Sequence, residues 1–234
     1  MKKTTKVWLM IATSLILVGC ILAKLFMVKY ETTTYEVSKD FSDISISTDT
    51  ADIIFALSDD GTCKVECYEE ENAKHSVAVE NDVLIVKTNK SWYDYIGYSF
   101  GWSKITIYLP KEEYSELSIN ESTGTVEIPK DCLFENVNIS TSTGDVNFCA
   151  SVSKLVKIKT STGNICVENI SAGALDLSVT TGKVTVSGVT CQDDITVSVV
   201  TGNAYLTDSS CRSVISSATT GNISLNNVIQ EVHP

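Results

Sequence analysis

The sequence predicts an all-β protein built as a parallel β-solenoid, a β-helix with rungs of about 19–20 residues, preceded by a single N-terminal transmembrane or signal helix. Three observations predict the solenoid. First, the dipeptide Thr-Gly occurs six times, and successive glycines are 19 or 20 positions apart. Second, apolar residues alternate on both sides of every copy. Third, no proline lies between Lys130 and His233. Alternation with a period of two marks half-buried strands, and central strands of a ladder exclude proline.

The first element is a basic and apolar segment over residues 1–30. Lys2, Lys3 and Lys6 precede an apolar run over residues 7–23, which resumes after Lys24. This length is the short end of a bilayer-spanning helix, and basic residues ahead of a span favour an N-terminus inside the cell. The segment predicts an uncleaved, single-pass membrane anchor with the rest of the chain extracytoplasmic.

Two other interpretations of this segment stay open. Leu17-Val18-Gly19-Cys20 is similar to the lipobox of bacterial lipoproteins, in which Cys20 would carry a lipid and become the first residue. A cleaved secretory signal is the third, although its apolar region normally ends after 7 to 15 residues. All three interpretations place the folded part of the chain outside the cytoplasm.

Residues 31–116 are predicted to hold a first rung and a strand-rich capping region. Residues 44–53 align without gaps on residues 137–146, and the turn glycine is the one feature of the repeat pattern that is missing, because Ala51 stands where the later copy has Gly144. Several alternating segments follow over residues 57–116. Terminal repeats of solenoids are atypical because they must cover the apolar column, so this region is expected to be the cap.

Residues 117–234 form the repeat region. Each copy is predicted to be two short strands flanking a Thr-Gly turn, with apolar residues seven and five before the glycine and two and four after it, except that Ser216 stands five before the last glycine. A repeat of this size cannot bury its own apolar face, so the copies must stack. Stacking predicts aliphatic ladders inside and a threonine ladder at the turn. A meander of hairpins closed at each Thr-Gly is the alternative, but it does not explain the constant register.

The formal net charge of -11 excludes one class of partner. Residues 1–30 carry five lysines and no acid, so the acidity belongs to the folded part and chiefly to residues 31–116. Such a surface repels the phosphates of nucleic acids. No nucleic-acid partner is therefore expected.

Seven cysteines follow Cys20, and an odd number leaves at least one unpaired. Cys63 and Cys67, with His75 downstream, are typical metal-ligand residues. Residues four apart on a strand, however, lie about 13 Å apart, which is too far to share a zinc ion. The cysteines are expected to be small buried residues, and neither a metal nor a cofactor is expected. The seven are Cys63, Cys67, Cys132, Cys149, Cys166, Cys191 and Cys211.

The candidate catalytic motifs do not predict an enzyme. Residues 97–101 match the G-x-S-x-G pattern of hydrolases, but no helix is predicted after them and the one histidine downstream is His233. Asp193 and Asp194 are adjacent on a predicted strand and are expected to point to opposite faces. No catalytic residue is predicted, and a carbohydrate-active β-helix enzyme is kept as the less favoured alternative.

The strongest candidate contact site is a cluster of aromatic residues within residues 91–102. If exposed, these rings would stack on sugars or enter a partner's groove, since Tyr and Trp combine apolar area with a polar group. The alternative is that they cover the open end of the solenoid. The six residues are Trp92, Tyr93, Tyr95, Tyr98, Phe100 and Trp102.

The strand KITIYLP, the segment LSINESTGTVEI and the spaced Thr-Gly turns resemble the bacterial "putative adhesin" family over about residues 35–228. The resemblance implies a small envelope protein, often with an N-terminal membrane segment, that forms a β-solenoid and has no assigned catalytic residues. It also implies an adhesive role. The expected function is that of a membrane-anchored, non-catalytic surface protein that binds an envelope glycan or another surface protein. An envelope regulatory or stress-response protein acting through a membrane partner is the alternative.

Overall fold

The computed structural model describes residues 29–71, 73–89 and 103–230, and this part of the chain is all-β. It contains no helix long and apolar enough to cross a bilayer. The N-terminal helix predicted from residues 1–30 falls almost wholly in residues 1–28, outside the described residues. The strands are β1 Tyr30–Val37, β2 Asp43–Leu57, β3 Cys63–Glu70, β4 His75–Glu80, β5 Val83–Thr88, β6 Ser103–Leu109, β7 Glu113–Thr123, β8 Val126–Ile128, β9 Leu133–Thr143, β10 Val146–Phe148, β11 Ser151–Glu168, β12 Ser171–Ser187, β13 Thr190–Cys191, β14 Asp194–Cys211, β15 Ser213–Thr220 and β16 Ile223–Gln230.

The repeats stack as parallel strands whose register is constant through the Thr-Gly turns, as predicted, and shifts only between Val152 and Leu155 of β11 where it pairs with β9 and β12. Thr143 pairs with Thr162, Thr162 with Thr181, and Thr181 with Thr201. Strands β11, β12 and β14 continue through the Thr-Gly pair instead of folding back on themselves. The parallel solenoid is therefore confirmed, and the meander of hairpins is wrong.

The hidden copy at residues 44–53 is the first rung. Strand β2 pairs in parallel with β7, with Ile44 opposite Leu117 and Thr50 opposite Thr123. Its second half pairs with β8, so that Ile53 lies opposite Val126. The alignment without gaps thus corresponds to stacking without a register shift.

The cap extends both faces of this first rung. On one face, β6 pairs in parallel with the second half of β2, and β3 and then β1 follow in antiparallel order. On the other face, β5 pairs in parallel with the first half of β2 and β4 pairs antiparallel with β5. The cap therefore closes the solenoid with strands that carry no Thr-Gly repeat.

The apolar core runs without interruption from the cap through the repeats. Leu84, Ile107, Ile139, Leu177 and Leu206 are all fully buried. The aliphatic columns predicted inside the rungs are present because each inward residue stacks on its counterpart one rung away. Phe55 and Phe134 meet edge to face at 6.3 Å between ring centroids, where the first rung joins the repeats.

The glycine of each Thr-Gly turn is required by stacking. Gly163 has φ +143, and a Cβ on it would lie well inside 3.0 Å of the carbonyl oxygen of Gly144 in the preceding rung. The other turn glycines face the same obstacle. Ala51 escapes it because its backbone does not adopt the positive φ of the turn glycines, and the strand alongside it is the cap strand β6, where its partner is Ser103. This explains why the first copy can have alanine where the later copies require glycine.

A polar ladder runs along the turn, one residue after the glycine. Asp145 Oδ1 accepts hydrogen bonds from the backbone N and from Nδ2 of Asn164, at 2.7 and 3.0 Å. Asn164 Oδ1 in turn accepts from the backbone N of Lys183 at 3.2 Å. Each side chain thus satisfies a backbone donor of the next rung at the point where the chain turns.

Replacing Asp145 by Ala is expected to destabilise the protein by about 1–2 kcal/mol, because the backbone N of Asn164 loses its acceptor. Asp145→Asn is the matched control, since Asn203 accepts the equivalent bond from Asn222 at 3.1 Å. It is expected to retain most of the stability. Denaturant unfolding of both variants measures the difference, and equal losses would contradict the assignment.

Candidate functional site

Two predicted sites lie outside the described residues and stay predictions. The first is Cys20, the candidate for lipidation. The second is the aromatic segment, which we define as residues 90–102. It holds the candidate contact residues Trp92, Tyr93, Tyr95, Tyr98, Phe100 and Trp102 and also the G-x-S-x-G motif.

The chain on either side of the aromatic segment lies beside the turn of the first rung. Strand β5 ends at Thr88, and its Lys87 pairs with Ser47, just before that turn. Strand β6 begins at Ser103, which pairs with Ala51 in the turn. The segment therefore leaves and rejoins the fold at the same edge of the molecule.

An exposed threonine column runs along this edge. It consists of the residue before the glycine, or before Ala51, in all seven copies, and each member is exposed. At about 4.8 Å per rung the column is about 29 Å long. The predicted threonine ladder is thus an array of evenly spaced hydroxyl groups at the surface. Its members are Thr50, Thr123, Thr143, Thr162, Thr181, Thr201 and Thr220.

A second column, two residues earlier, points inward. Thr141 and Thr160 are buried there, and Thr141 Oγ1 donates a hydrogen bond to Thr160 Oγ1 at 2.9 Å. Val179 and Val199 continue the column and are also buried. The inward column is therefore part of the core and is closed to a ligand.

Glu121 occupies the inward column between Thr48 and Thr141, with only 2% of its surface exposed. Burial raises the pKa of its carboxyl to about 7, the backbone of Ala51 partly offsets this shift, and the charge of Asp52 adds to it. Neither carboxyl oxygen has a hydrogen-bond partner of good geometry. Sequence reasoning missed this group because the alternation there reads as an ordinary repeat.

A buried cluster of Cys67, Glu69 and His75 lies in the cap. One ligand atom from each residue lies within 4.8 Å of the other two. Burial raises the pKa of the Cys67 thiol to about 12, and the charge of Glu69 adds to this shift. The sequence drew attention to Cys63 and Cys67, but Cys63 is not part of the cluster. The sequence pattern that indicates this cluster is Cys67 and Glu69 on the same face of one strand, followed six residues later by His75.

Of the other six cysteines, four are core residues, as predicted, and two are not. Cys63, Cys132, Cys191 and Cys211 are buried, whereas Cys149 and Cys166 are partly exposed. All seven are free thiols in the structure.

The prediction that Asp193 and Asp194 point to opposite faces is wrong. Arg212 contacts Asp193 Oδ1 through Nη1 at 2.9 Å, and both carboxyl oxygens of Asp194 through Nε and Nη2 at 3.1 Å. Strand β14 begins only at Asp194, so Asp193 lies in the preceding bend and strand alternation does not apply to it. The two carboxylates are held in an exposed ion-pair network.

One solved structure shares this fold, and two others are similar to it at lower scores. A "putative adhesin" from Bacteroides fragilis matches with a TM-score of 0.56 and 22% identity, over 84% of this chain and 97% of that chain. A "putative adhesin" from Parabacteroides merdae has a TM-score of 0.43 and 17% identity, over 87% of this chain and 96% of that one. A "putative lipid binding protein" from Parabacteroides distasonis has a TM-score of 0.42 and 14% identity, over 85% and 96%. At 22% identity the likeness to the Bacteroides fragilis protein concerns the fold alone.

A family model identifies the chain more directly. No curated protein matches it in sequence. The model described as Toastrack DUF4097 matches residues 41–227, which include the first rung, the cap strands from β3 onward and nearly all of the repeats. The resemblance to "putative adhesin" proteins is thereby confirmed. The chain belongs to the Toastrack DUF4097 family.

Proposed function

We propose that this protein is a non-catalytic surface protein that binds an uncharged envelope glycan along its threonine edge. Residues 1–30 hold it to the membrane and the solenoid is extracytoplasmic. The observation that carries the proposal is the convergence of two features at one edge. The aromatic segment joins the fold beside Thr50, and the exposed threonine column begins at Thr50 and continues for seven rungs.

The chemistry of this edge suits a sugar polymer. A repeating glycan presents hydroxyl groups at regular intervals, and a column of threonine hydroxyls can donate and accept hydrogen bonds along it. The aromatic residues of the segment, if exposed, would add apolar area on which sugar rings stack. The acidity of the folded part disfavours polyanionic polymers, so an uncharged glycan is the ligand that fits.

The ionisable groups of the described residues support a binding role over a catalytic one. Glycoside hydrolysis requires two carboxyl groups on either side of a bound sugar. Glu121, whose pKa is raised to about 7, is enclosed in the core and cannot reach a substrate. Asp193 and Asp194 are both engaged by Arg212.

Removing the hydroxyls of the threonine column is expected to weaken glycan binding at least tenfold. The variant is Thr143→Val, Thr162→Val and Thr181→Val in the full-length protein, since valine keeps the branched shape at exposed positions. Thr185→Val with Thr196→Val, on the flat faces of the solenoid, is the matched control and should bind normally. Binding to an array of uncharged glycans measures the affinity.

The aromatic segment is tested separately by replacing Trp92, Tyr95 and Trp102 with Ser. Lost glycan binding at an unchanged unfolding temperature supports a contact site, whereas unfolding supports the alternative of a cover over the end of the solenoid. The proposal is overturned if the full-length protein binds no glycan, or if the threonine variant binds as well as its control.

A further inference from the structure

We infer that Cys67, Glu69 and His75 bind a single zinc ion, which joins strands β3 and β4 close to the described parts of the chain that flank residues 90–102. The exposed fractions of these three residues are 0%, 0% and 4%. Their candidate ligand atoms, the thiol sulfur, a carboxyl oxygen and a ring nitrogen, lie within 4.8 Å of one another. The site is independent of the proposed glycan-binding role.

The fold brings these residues together from two strands. Cys67 and Glu69 alternate on β3 and both point into the cap. Strand β1 is the antiparallel neighbour of β3 in the sheet, with Thr33 opposite Cys67. His75 is the first residue of β4, and the hydroxyl of Tyr35 donates a hydrogen bond to its backbone oxygen at 2.9 Å.

The hydrogen bonds of Glu69 leave one buried oxygen available for a cation. Glu69 Oε2 accepts from the backbone N of His75 at 2.7 Å and lies 2.8 Å from His75 Nδ1. Glu69 Oε1 is buried without a hydrogen-bond partner. An orphaned carboxylate oxygen inside a protein is costly. A Glu69–His75 pair alone therefore leaves half of the carboxylate unsatisfied, and a metal ion would complete it.

The donor set favours zinc over calcium and magnesium. Thiolate and imidazole are ligands that zinc accepts and that calcium and magnesium avoid. A thiolate and a carboxylate carry two negative charges, and a neutral imidazole adds none, so the bound ion would leave the buried site uncharged. Binding releases the thiol proton to solvent. The three protein ligands leave the fourth tetrahedral position to a water molecule.

The position of the site gives it a structural role at the aromatic segment. His75 pairs with Thr88, the last residue of β5, and Lys104, next to the start of β6, pairs with Tyr68 between the two β3 ligands. The ion would therefore lie next to both described ends of the chain that flank residues 90–102. Its loss is expected to loosen the cap rather than the repeats.

The test uses the reduced, chelator-treated full-length chain, first titrated with zinc against a chromophoric competitor and then loaded with cobalt(II). We expect one zinc ion per chain and, with cobalt, the near-ultraviolet charge-transfer band that a thiolate ligand produces. Cys67→Ser should remove the band and weaken zinc binding at least tenfold, and Glu69→Gln should weaken zinc binding while keeping the band. Cys191→Ser, which removes a buried thiol on a distant rung, is the matched control and should behave as the unchanged protein.

The cobalt spectrum of the unchanged protein tests whether a thiolate binds the metal, even if Cys67→Ser does not fold. A folded protein that takes up no zinc, or that binds cobalt without the thiolate band, overturns the inference. Equal loss of binding in Cys191→Ser also overturns it, because the thiols would then bind metal without regard to this cluster. Such results would leave glycan binding at the threonine edge unaffected.

Discussion

Replacing Gly163 by Ala is expected to lower the free energy of unfolding by about 3–5 kcal/mol, near the upper end of single-substitution effects. Two causes add. At φ +143 an alanine is strained, and its Cβ would overlap the backbone oxygen of Gly144 in the preceding rung. The carbonyl group of Gly144 belongs to a continuous ladder of backbone hydrogen bonds, so it cannot move aside unless the two rungs separate. Urea unfolding followed by circular dichroism measures the loss.

Two matched controls separate strain from overlap. Gly61 also has a positive φ, +73, but a Cβ there meets nothing within 4 Å. Gly61→Ala is therefore expected to cost only about 1–2 kcal/mol. Ala51→Gly, at the turn where no earlier Thr-Gly rung stacks, should change stability by about 1 kcal/mol or less. If Gly163→Ala lost no more than Gly61→Ala, contact between rungs would not be the reason for the glycine.

Replacing Glu121 by Gln is expected to stabilise the protein by about 3 kcal/mol at pH 8. In the folded state, burial raises the pKa of this carboxyl from its ordinary value of 4.5 to about 7. Each pKa unit corresponds to about 1.4 kcal/mol. Since the folded state holds the proton more tightly than the unfolded state, the penalty is absent below about pH 4.5, grows as the pH rises and is complete above about pH 7. Glutamine has nearly the same shape and stays neutral.

The measurement is the free energy of unfolding of both proteins at pH 4.5 and pH 8. The difference between them should be small at the lower pH and large at the higher one. Glu127→Gln, an exposed carboxyl on the adjacent strand β8, is the matched control and should change stability by less than about 0.5 kcal/mol at either pH. A Glu121→Gln variant with the same pH dependence as the unchanged protein would show that this carboxyl is not held in the core.

The repeat region could be predicted in detail because its geometry is local. Each rung contacts only its neighbours, so most paired residues of the repeats are 19 or 20 apart in the sequence, and the period of the repeat predicts the register directly. The pairing of Val137 with Val156, and of Gly163 with Gly182, follows from the Thr-Gly spacing. The first rung was found in the same way although it lies 73 residues before its neighbour, because its pattern is that of the later copies.

The cap could not be predicted to this level. Its strands were visible as alternating segments, but their order was not, since pairs such as Tyr35 with Val65 and Val65 with Ile107 follow no period. The same limit applies to the candidate metal site. Its ligands come from two strands and a turn, so their meeting depends on how the cap folds and not on the spacing of the repeats.

The Thr-Gly period was sufficient to predict the solenoid, its register, the Thr-Gly turn and the hidden first copy, because stacking places residues that are one period apart side by side. Tertiary structure alone decided which polar groups are enclosed. Glu121 and Glu69 follow the alternation of their strands, as many exposed glutamates do, and are buried only because another layer covers that face. It also decided that Ala51 is tolerated and that Asp193 and Asp194 share Arg212, since both depend on which strand lies alongside.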